Sequence, residues 1–185
     1  MEPLNKALIA QLYGVEDTRV FAIVDGASAP ELLGQLDEHR PEYECLYRGE
    51  LTPDLAYVAP YLIQLEMESE FAEWLMEQGW GRHCGIYAIS AADLRTLRRH
   101  FRTFLMVHSE DGKPLYFRYY DPRVMRVYLP SCNAGELAAM FGPVVRYVLE
   151  GEDPETLLSF ENASGTLRER KVALPKNESA SSSKL

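Results

Sequence analysis

The sequence predicts a single domain of the α/β (or α+β) class, a mixed β-sheet covered by helices. Three observations predict it. Apolar runs ending in Gly or Asp-Gly alternate, at first, with stretches whose apolar residues recur every three or four positions. Two alternating apolar runs around Asp111-Gly112 then signal a hairpin. The chain has 185 residues, 46% of them hydrophobic, which suits one domain with a sizeable core.

In chain order, residues 3–13 read as a helix with Leu4, Leu8 and Leu12 on one stripe. "RVFAIVDG" (19–26) is a buried strand. Ser28 and Glu31 have capping-box spacing and open a helix with Leu32, Leu33 and Leu36 inside. "YECLYRG" is a strand ending at Gly49, and Thr52-Pro53 makes an N-cap and first helical residue for a short turn. "YLIQLE" is the next strand. Residues 69–79 form an amphipathic helix with Phe71, Trp74, Leu75 and Gln78 near one side, stopped by Gly79.

"HCGIYAIS" (83–90) is a further strand. Ser90 and Asp93 start a capped helix carrying Leu94, Leu97 and Phe101 inside and Arg95, Arg98, Arg99 and Arg102 around its other sides. "TFLMVHS" and "PLYFRYY" pair across "EDGK". Asn133 and Glu136 cap a helix with Leu137, Met140 and Phe141, ended by Gly142-Pro143. "VRYVLEG" closes the core. Residues 1–150 thus read as the domain, 151–174 as a C-terminal extension with a hairpin turning at "ENASG", and 175–185 as a disordered polar tail.

Net charge is −9, against the basic footprint of general nucleic-acid binding. The charge is uneven. Residues 31–77 hold twelve acids and two arginines, a net of −10, whereas residues 82–126 hold nine Lys/Arg and four acids, a net of +5. A two-signed surface would favour a protein partner. Cys45, Cys84 and Cys132 lack disulfide or zinc spacing and read as free thiols of a reducing compartment. The N-terminal residues lack the pattern of a signal peptide and no apolar run reaches the ~20 residues of a membrane span, so a soluble, cytoplasmic protein is expected. The terminal "SKL" and the sequons at Asn162 and Asn177 are read as accidental in that setting.

The densest stretch is "PLYFRYYDPRVMRVYLP", residues 114–130. Strand periodicity puts Leu115, Phe117 and Tyr119 on one face and Tyr116, Arg118 and Tyr120 on the other, a strand covered on both sides. Arg118 is placed to stack on its tyrosines or to reach a buried carboxylate. Asp121 and Pro122 have N-cap and first-turn chemistry for a helix burying Val124, Met125, Tyr128 and Leu129. Arg123 opposes the helix dipole from the first turn, so it answers either to an acid such as Asp121 or to a partner.

Enzyme chemistry finds thin support. His83-Cys84 are adjacent and point to opposite faces unless the strand ends there. His100 and His108 lack ligand spacing with a third residue. Glu66, Glu68, Glu70 and Glu73 read as a solvated acidic run, with metal or general-acid use as the alternative. Neither a Gly-rich phosphate loop nor G-x-S-x-G occurs. Trp74 reads as core, and Trp80, between Gly79 and Gly81, as either core or an exposed anchor.

"FAIVDGA", then "GWGRHCGIYAIS", then "LRRHFRTFLMVHSEDGKPLYFRYYDPRVMRVYLP" and "FGPV", in that order, resemble the adaptor or effector-chaperone (Tap/TEC) family of bacterial type VI secretion. The resemblance covers about residues 18–143, and "FRYYDPRV" is its most specific part. It implies a protein that is not an enzyme and needs no cofactor or metal. It also implies that this protein binds a toxic effector in the cytoplasm and helps load it onto the VgrG spike. The matching motif positions are Asp25, Trp80, Gly81, Arg102, Phe117, Arg118, Tyr119, Tyr120, Asp121, Pro122 and Arg123.

Overall fold

A computed structural model describes residues 3–108 and 111–175. The remainder of the expected tail, with "SKL" and Asn177, lies outside the described residues. The main-sheet strands are β1 (Arg19–Asp25), β2 (Tyr43–Cys45), β3 (Pro60–Leu65), β4 (Gly85–Ser90), β7 (Val144–Glu150), β8 (Thr156–Ala163) and β9 (Thr166–Ala173). β5 (Met106–His108) and β6 (Pro114–Tyr116) form a separate two-stranded ribbon. The helices are α1 (Pro3–Leu12), α2 (Leu32–His39), α3 (Pro53–Val58), α4 (Glu70–Gly79), α5 (Leu94–Arg102), α6 (Pro122–Ser131) and α7 (Ala134–Phe141).

The α/β class holds, and the sheet runs in the order β2-β3-β1-β4-β7-β8-β9. The expected mixed sheet is corrected to an antiparallel one. Val20 faces Leu65 of β3 and Ile89 of β4, and every pairing is antiparallel. The reason lies in the connections. α2 links β1 to β2 and α4 links β3 to β4, and each pair of linked strands runs the same way. They are not neighbours, because an oppositely directed strand is inserted between them.

Both faces of the sheet are covered, which explains the unbroken apolar run of β1. Val20, Ala22 and Val24 point to a core with Leu4, Leu8 and Leu12 of α1, Leu32 and Leu36 of α2, and Phe71 and Leu75 of α4. Phe21 and Ile23 point to a second core with Leu97 and Phe101 of α5, Met125 and Leu129 of α6, and Leu137 and Met140 of α7. Residues 151–174 continue this sheet: Tyr147 of β7 faces Phe160 of β8, which is buried in the second core. The β8–β9 turn falls at Ser164-Gly165, where the Asn162 side chain accepts the Gly165 N–H at 2.8 Å.

Several local readings change. Ser28 does not cap α2; Glu31 occupies the cap position without a side-chain bond, and Ser28 turns to Asp25. Ser90 is the buried end of β4, its hydroxyl donating to the Pro143 carbonyl at 2.6 Å, and Asp93 alone caps α5 by accepting from Thr96 N–H. In α4 the buried stripe is Phe71, Ala72, Leu75 and Met76; Trp74 is half-buried and Gln78 exposed. α7 carries its capping box in full, with Asn133 and Glu136 bonding each other's backbone N–H. The three cysteines are free. Among the described residues, no helix is long and apolar enough to cross a membrane.

Candidate functional site

Five strand ends meet at one end of the sheet: Cys45 of β2, Pro60 of β3, Asp25 of β1, Gly85 of β4 and Glu150 of β7. The segment 117–126 crosses this end, with Arg118 bonding Asp25 and Arg126 donating to the Gly151 carbonyl just past β7.

Asp25 is the last residue of β1 and only 2% exposed. Its carboxylate accepts from the Ala27 N–H at 3.2 Å, from the Ser28 hydroxyl at 3.0 Å and from the Arg118 guanidinium. A turn this tight needs Gly26. A Cβ there would sit 2.4 Å from the Tyr57 carbonyl oxygen and 2.8 Å from that of Ala59.

The crossing segment is not the doubly covered strand that its alternation predicts. β6 stops at Tyr116, and both Leu115 and Tyr116 are exposed. The Phe117 N–H still reaches the Leu105 carbonyl at 3.0 Å, but Asp121 N–H then bonds back to the Arg118 carbonyl, closing a turn. The turn drops consecutive rings into the interior. Tyr119 is fully buried, stacked 5.8 Å from Phe101 and donating its hydroxyl to the Phe101 carbonyl at 3.0 Å. Tyr120 is buried beside it, 5.5 Å between ring centroids, and its phenol lies close to that of Tyr47. Phe117 packs edge-on against Tyr128, 4.7 Å between centroids.

Asp121 caps α6 as its neighbour Pro122 predicts, accepting from Arg123 N–H at 2.9 Å. The same carboxylate takes both Arg123 side-chain donors, Nε at 3.0 Å and Nη2 at 2.7 Å. The arginine that local structure left open is therefore bound to its own helix cap. Burial works against charge on Asp121, but the Arg123 hydrogen bonds outweigh it, and the carboxyl lies below its ordinary 3.8. Arg118 loses some hydration, and Asp25 more than compensates, so its guanidinium is held charged more firmly than usual.

Arg102 holds the adjoining β2 end. Its Nε donates to the Leu46 carbonyl at 3.0 Å, and its Nη2 to those of Cys45 and Tyr47 at 3.0 and 2.5 Å. Trp80 is not an exposed anchor. It is 8% exposed, lies 6.3 Å from Tyr87 in a stacked pair, and donates its indole N–H to the Pro154 carbonyl at 2.8 Å. Gly81 adopts φ +81 and gives its N–H to Glu150.

Glu150 and Tyr47 are the residues that sequence reasoning missed. Glu150 is 3% exposed and also bonds the His83 ring. Its only sequence signal is its place at the end of the apolar run "VRYVLE". Three buried acids, Asp25, Asp121 and Glu150, thus each hold a group whose outer part reaches solvent. The Arg118 side chain is 46% exposed, that of Arg123 51% and that of His83 34%.

The enzyme candidates do not assemble. Strand β4 starts after Cys84, so His83 and Cys84 are free of strand alternation. Even so, the His83 ring turns to Glu150, and the Cys84 thiol donates to the Gly79 carbonyl at 3.3 Å. Burial pushes that thiol up to about 12, leaving it protonated. Glu66, Glu68 and Glu70 are exposed, and Glu70 lies 3.4 Å from His39. His100 contacts the Met140 carbonyl at 3.0 Å, and burial lowers its pKa. Among the described residues, no three His, Cys, Asp or Glu side chains are grouped to hold a metal ion.

Comparison with known proteins returns one family, and neither curated proteins nor solved structures give a match. The family model begins at Val20 in β1 and ends at Ala139 in α7, so it spans Asp25, Arg102 and the whole 117–126 crossing. Residues 20–139 make this chain a member of DUF4123, a domain of unknown function.

Proposed function

We propose that this protein is a non-enzymatic adaptor of bacterial type VI secretion. It binds a toxin effector in the cytoplasm and helps load it onto the VgrG spike. The observation that carries the reading is what the family's span is used for. Its most distinctive stretch, Phe117–Arg123, spends its polar groups on fixing two half-exposed arginines at one sheet end. Such preorganised cations suit recognition of a protein surface by charge complementarity. The resemblance of "FRYYDPRV" to the secretion adaptors supplies the identity of the partners. The protonated Cys84 and the diverted His83 speak against an enzyme built on those residues, as the exposure of Glu66, Glu68 and Glu70 does for that region.

The test is co-expression with the toxin and VgrG genes of its own cluster, followed by affinity purification at native salt. A stoichiometric complex with the toxin is expected, with VgrG joining it. Recovery of the folded protein with neither companion would end the adaptor reading.

A further inference from the structure

The motif end of the sheet borders a second feature that the arginine pairs do not use. A groove of about 480 Å³ runs between Leu51 and Leu55 on one side and Met106 and Tyr116 of the ribbon on the other. Tyr47 lines it too, and the Tyr47 and Tyr116 rings lie 6.1 Å apart. Tyr47 also lies near Tyr120 and Arg118, so the groove adjoins the Arg118 site.

Apolar groups are exposed around this groove to an unusual degree. Among its lining residues, Leu55 is 48% exposed, Met106 43% and Tyr116 69%. A two-stranded ribbon of three residues per strand is marginal by itself in water. This one stands apart from the main sheet with every residue exposed. Contiguous apolar exposure of this kind marks a docking surface.

The charge of the groove selects its occupant. The chain carries −9 overall, yet among the described residues the charged ones lining the groove are Arg48 and Arg102. Arg102 bonds only carbonyl oxygens, which leave its charge uncancelled. Arg48 is exposed and has no ion pair among the described residues. Resting on the adaptor reading, we infer that this groove binds a segment of the toxin in which apolar anchors are flanked by acidic residues. The anchors sit between α3 and the ribbon, and the acids face Arg48, Arg102 and the neighbouring Arg118.

Site-specific photo-crosslinking tests this in the full chain, co-expressed with the toxin encoded in its own cluster. A benzophenone amino acid replaces Leu55 or Tyr116, with Met67 and Val145, exposed at the opposite end of the sheet, as controls. Crosslinks from positions 55 and 116 to one acidic, apolar toxin peptide are expected, and none from the controls. In parallel, Arg48→Glu should weaken toxin binding roughly tenfold or more, while Arg48→Lys stays near the parent. Toxin that co-purifies but crosslinks only at 67 or 145 overturns the groove and leaves the adaptor reading standing. Crosslinks from 55 and 116 to a second copy of this chain, or to VgrG, overturn the occupant. An Arg48→Glu variant with unchanged affinity overturns the acidic requirement. Toxin that neither co-purifies nor crosslinks removes the adaptor reading and this inference with it.

Discussion

The two neighbouring regions at this end of the molecule are built on opposite principles. Where the 117–126 segment crosses the strand ends, buried acids have several partners each: Asp25 has three donors and Asp121 accepts from three Arg123 nitrogens. In the ribbon beside it, apolar side chains face solvent and touch little. Removing one member of a satisfied buried network leaves uncompensated polar groups. Removing an exposed ring leaves nothing uncompensated in the free protein. The buried acids of the first region should therefore report on stability, and the second region, with the solvent-facing parts of the arginines, on binding.

The largest effect expected from that contrast is Asp25→Ala. It strands the Ser28 hydroxyl and the Ala27 N–H and frees Arg118 at a partly dry site. Because Arg118 is half-exposed, water recovers part of the loss, and the net cost is about 2–4 kcal/mol. For a chain of this size that lowers Tm by roughly 4–16 °C. Arg118→Ala follows, at about 1–3 kcal/mol. Tyr116→Ala, in contrast, should move Tm by no more than about 2 °C. Thermal denaturation of the three variants side by side checks the order. A Tyr116→Ala loss equal to that of Asp25→Ala would erase the distinction between scaffold and docking surface.

The same contrast marks how far the sequence could be read. Elements whose signals are local came through: the leucine stripe of α1, the Asp121-Pro122 start of α6 and the Asn133–Glu136 box of α7. The ribbon hairpin at Asp111-Gly112 also came through, though with shorter strands. What failed depends on residues far away in sequence. "PLYFRYY" has perfect strand alternation, yet it becomes a turn after Tyr116 because Arg118 reaches Asp25, 93 positions earlier, and Tyr119 reaches Phe101. Ser28 has the spacing of a helix cap, but the Asp25 carboxylate takes its hydroxyl. Trp80, between glycines, left core and anchor both open, and it is the Pro154 carbonyl, 74 positions on, that draws its indole inward. Glu150 had no signal at all, since one more acid in an acidic chain stands out only once the sheet brings Gly81 and His83 to it.

A smaller effect sharpens the contrast through pH. The folded Asp121 carboxyl titrates below its ordinary 3.8, while in the unfolded chain it titrates near that value. The unfolded state then binds more protons, so the contribution of Asp121 is complete above about pH 3.8 and is lost as pH falls through the folded value. Asp121→Asn keeps an N-cap oxygen and loses the charge. Its Tm should lie below that of the parent at pH 7, and the gap should begin to close only as pH falls below about 3.8. Tyr116→Ala should track the parent across the same range. A gap for Asp121→Asn that stays constant with pH would mean that its charge plays no part in stability.

The smallest stability effect belongs to Arg123, and it is the most informative about function. Its guanidinium is 51% exposed while the Asp121 carboxylate is buried and keeps the Arg123 backbone N–H when the side chain is removed, so the pair contributes about 1 kcal/mol. The helix dipole opposes a cation in this first turn, which offsets part of even that. Arg123→Ala should therefore leave Tm within about 2 °C of the parent. Nothing in the folding of α6 requires the arginine, because Asp121 caps the helix through the backbone N–H and Pro122 sets its first turn. If the sheet end is a recognition surface, the same substitution should weaken toxin binding about tenfold at unchanged stability, measured by titration of purified partners. Arg123→Lys should restore only part of it, since an ammonium cannot reproduce the two-pronged hold on Asp121 that aims the guanidinium. An Arg123→Ala variant that melts early would assign the residue to the scaffold, and the contrast between the two regions would then shift to the ribbon and its groove alone.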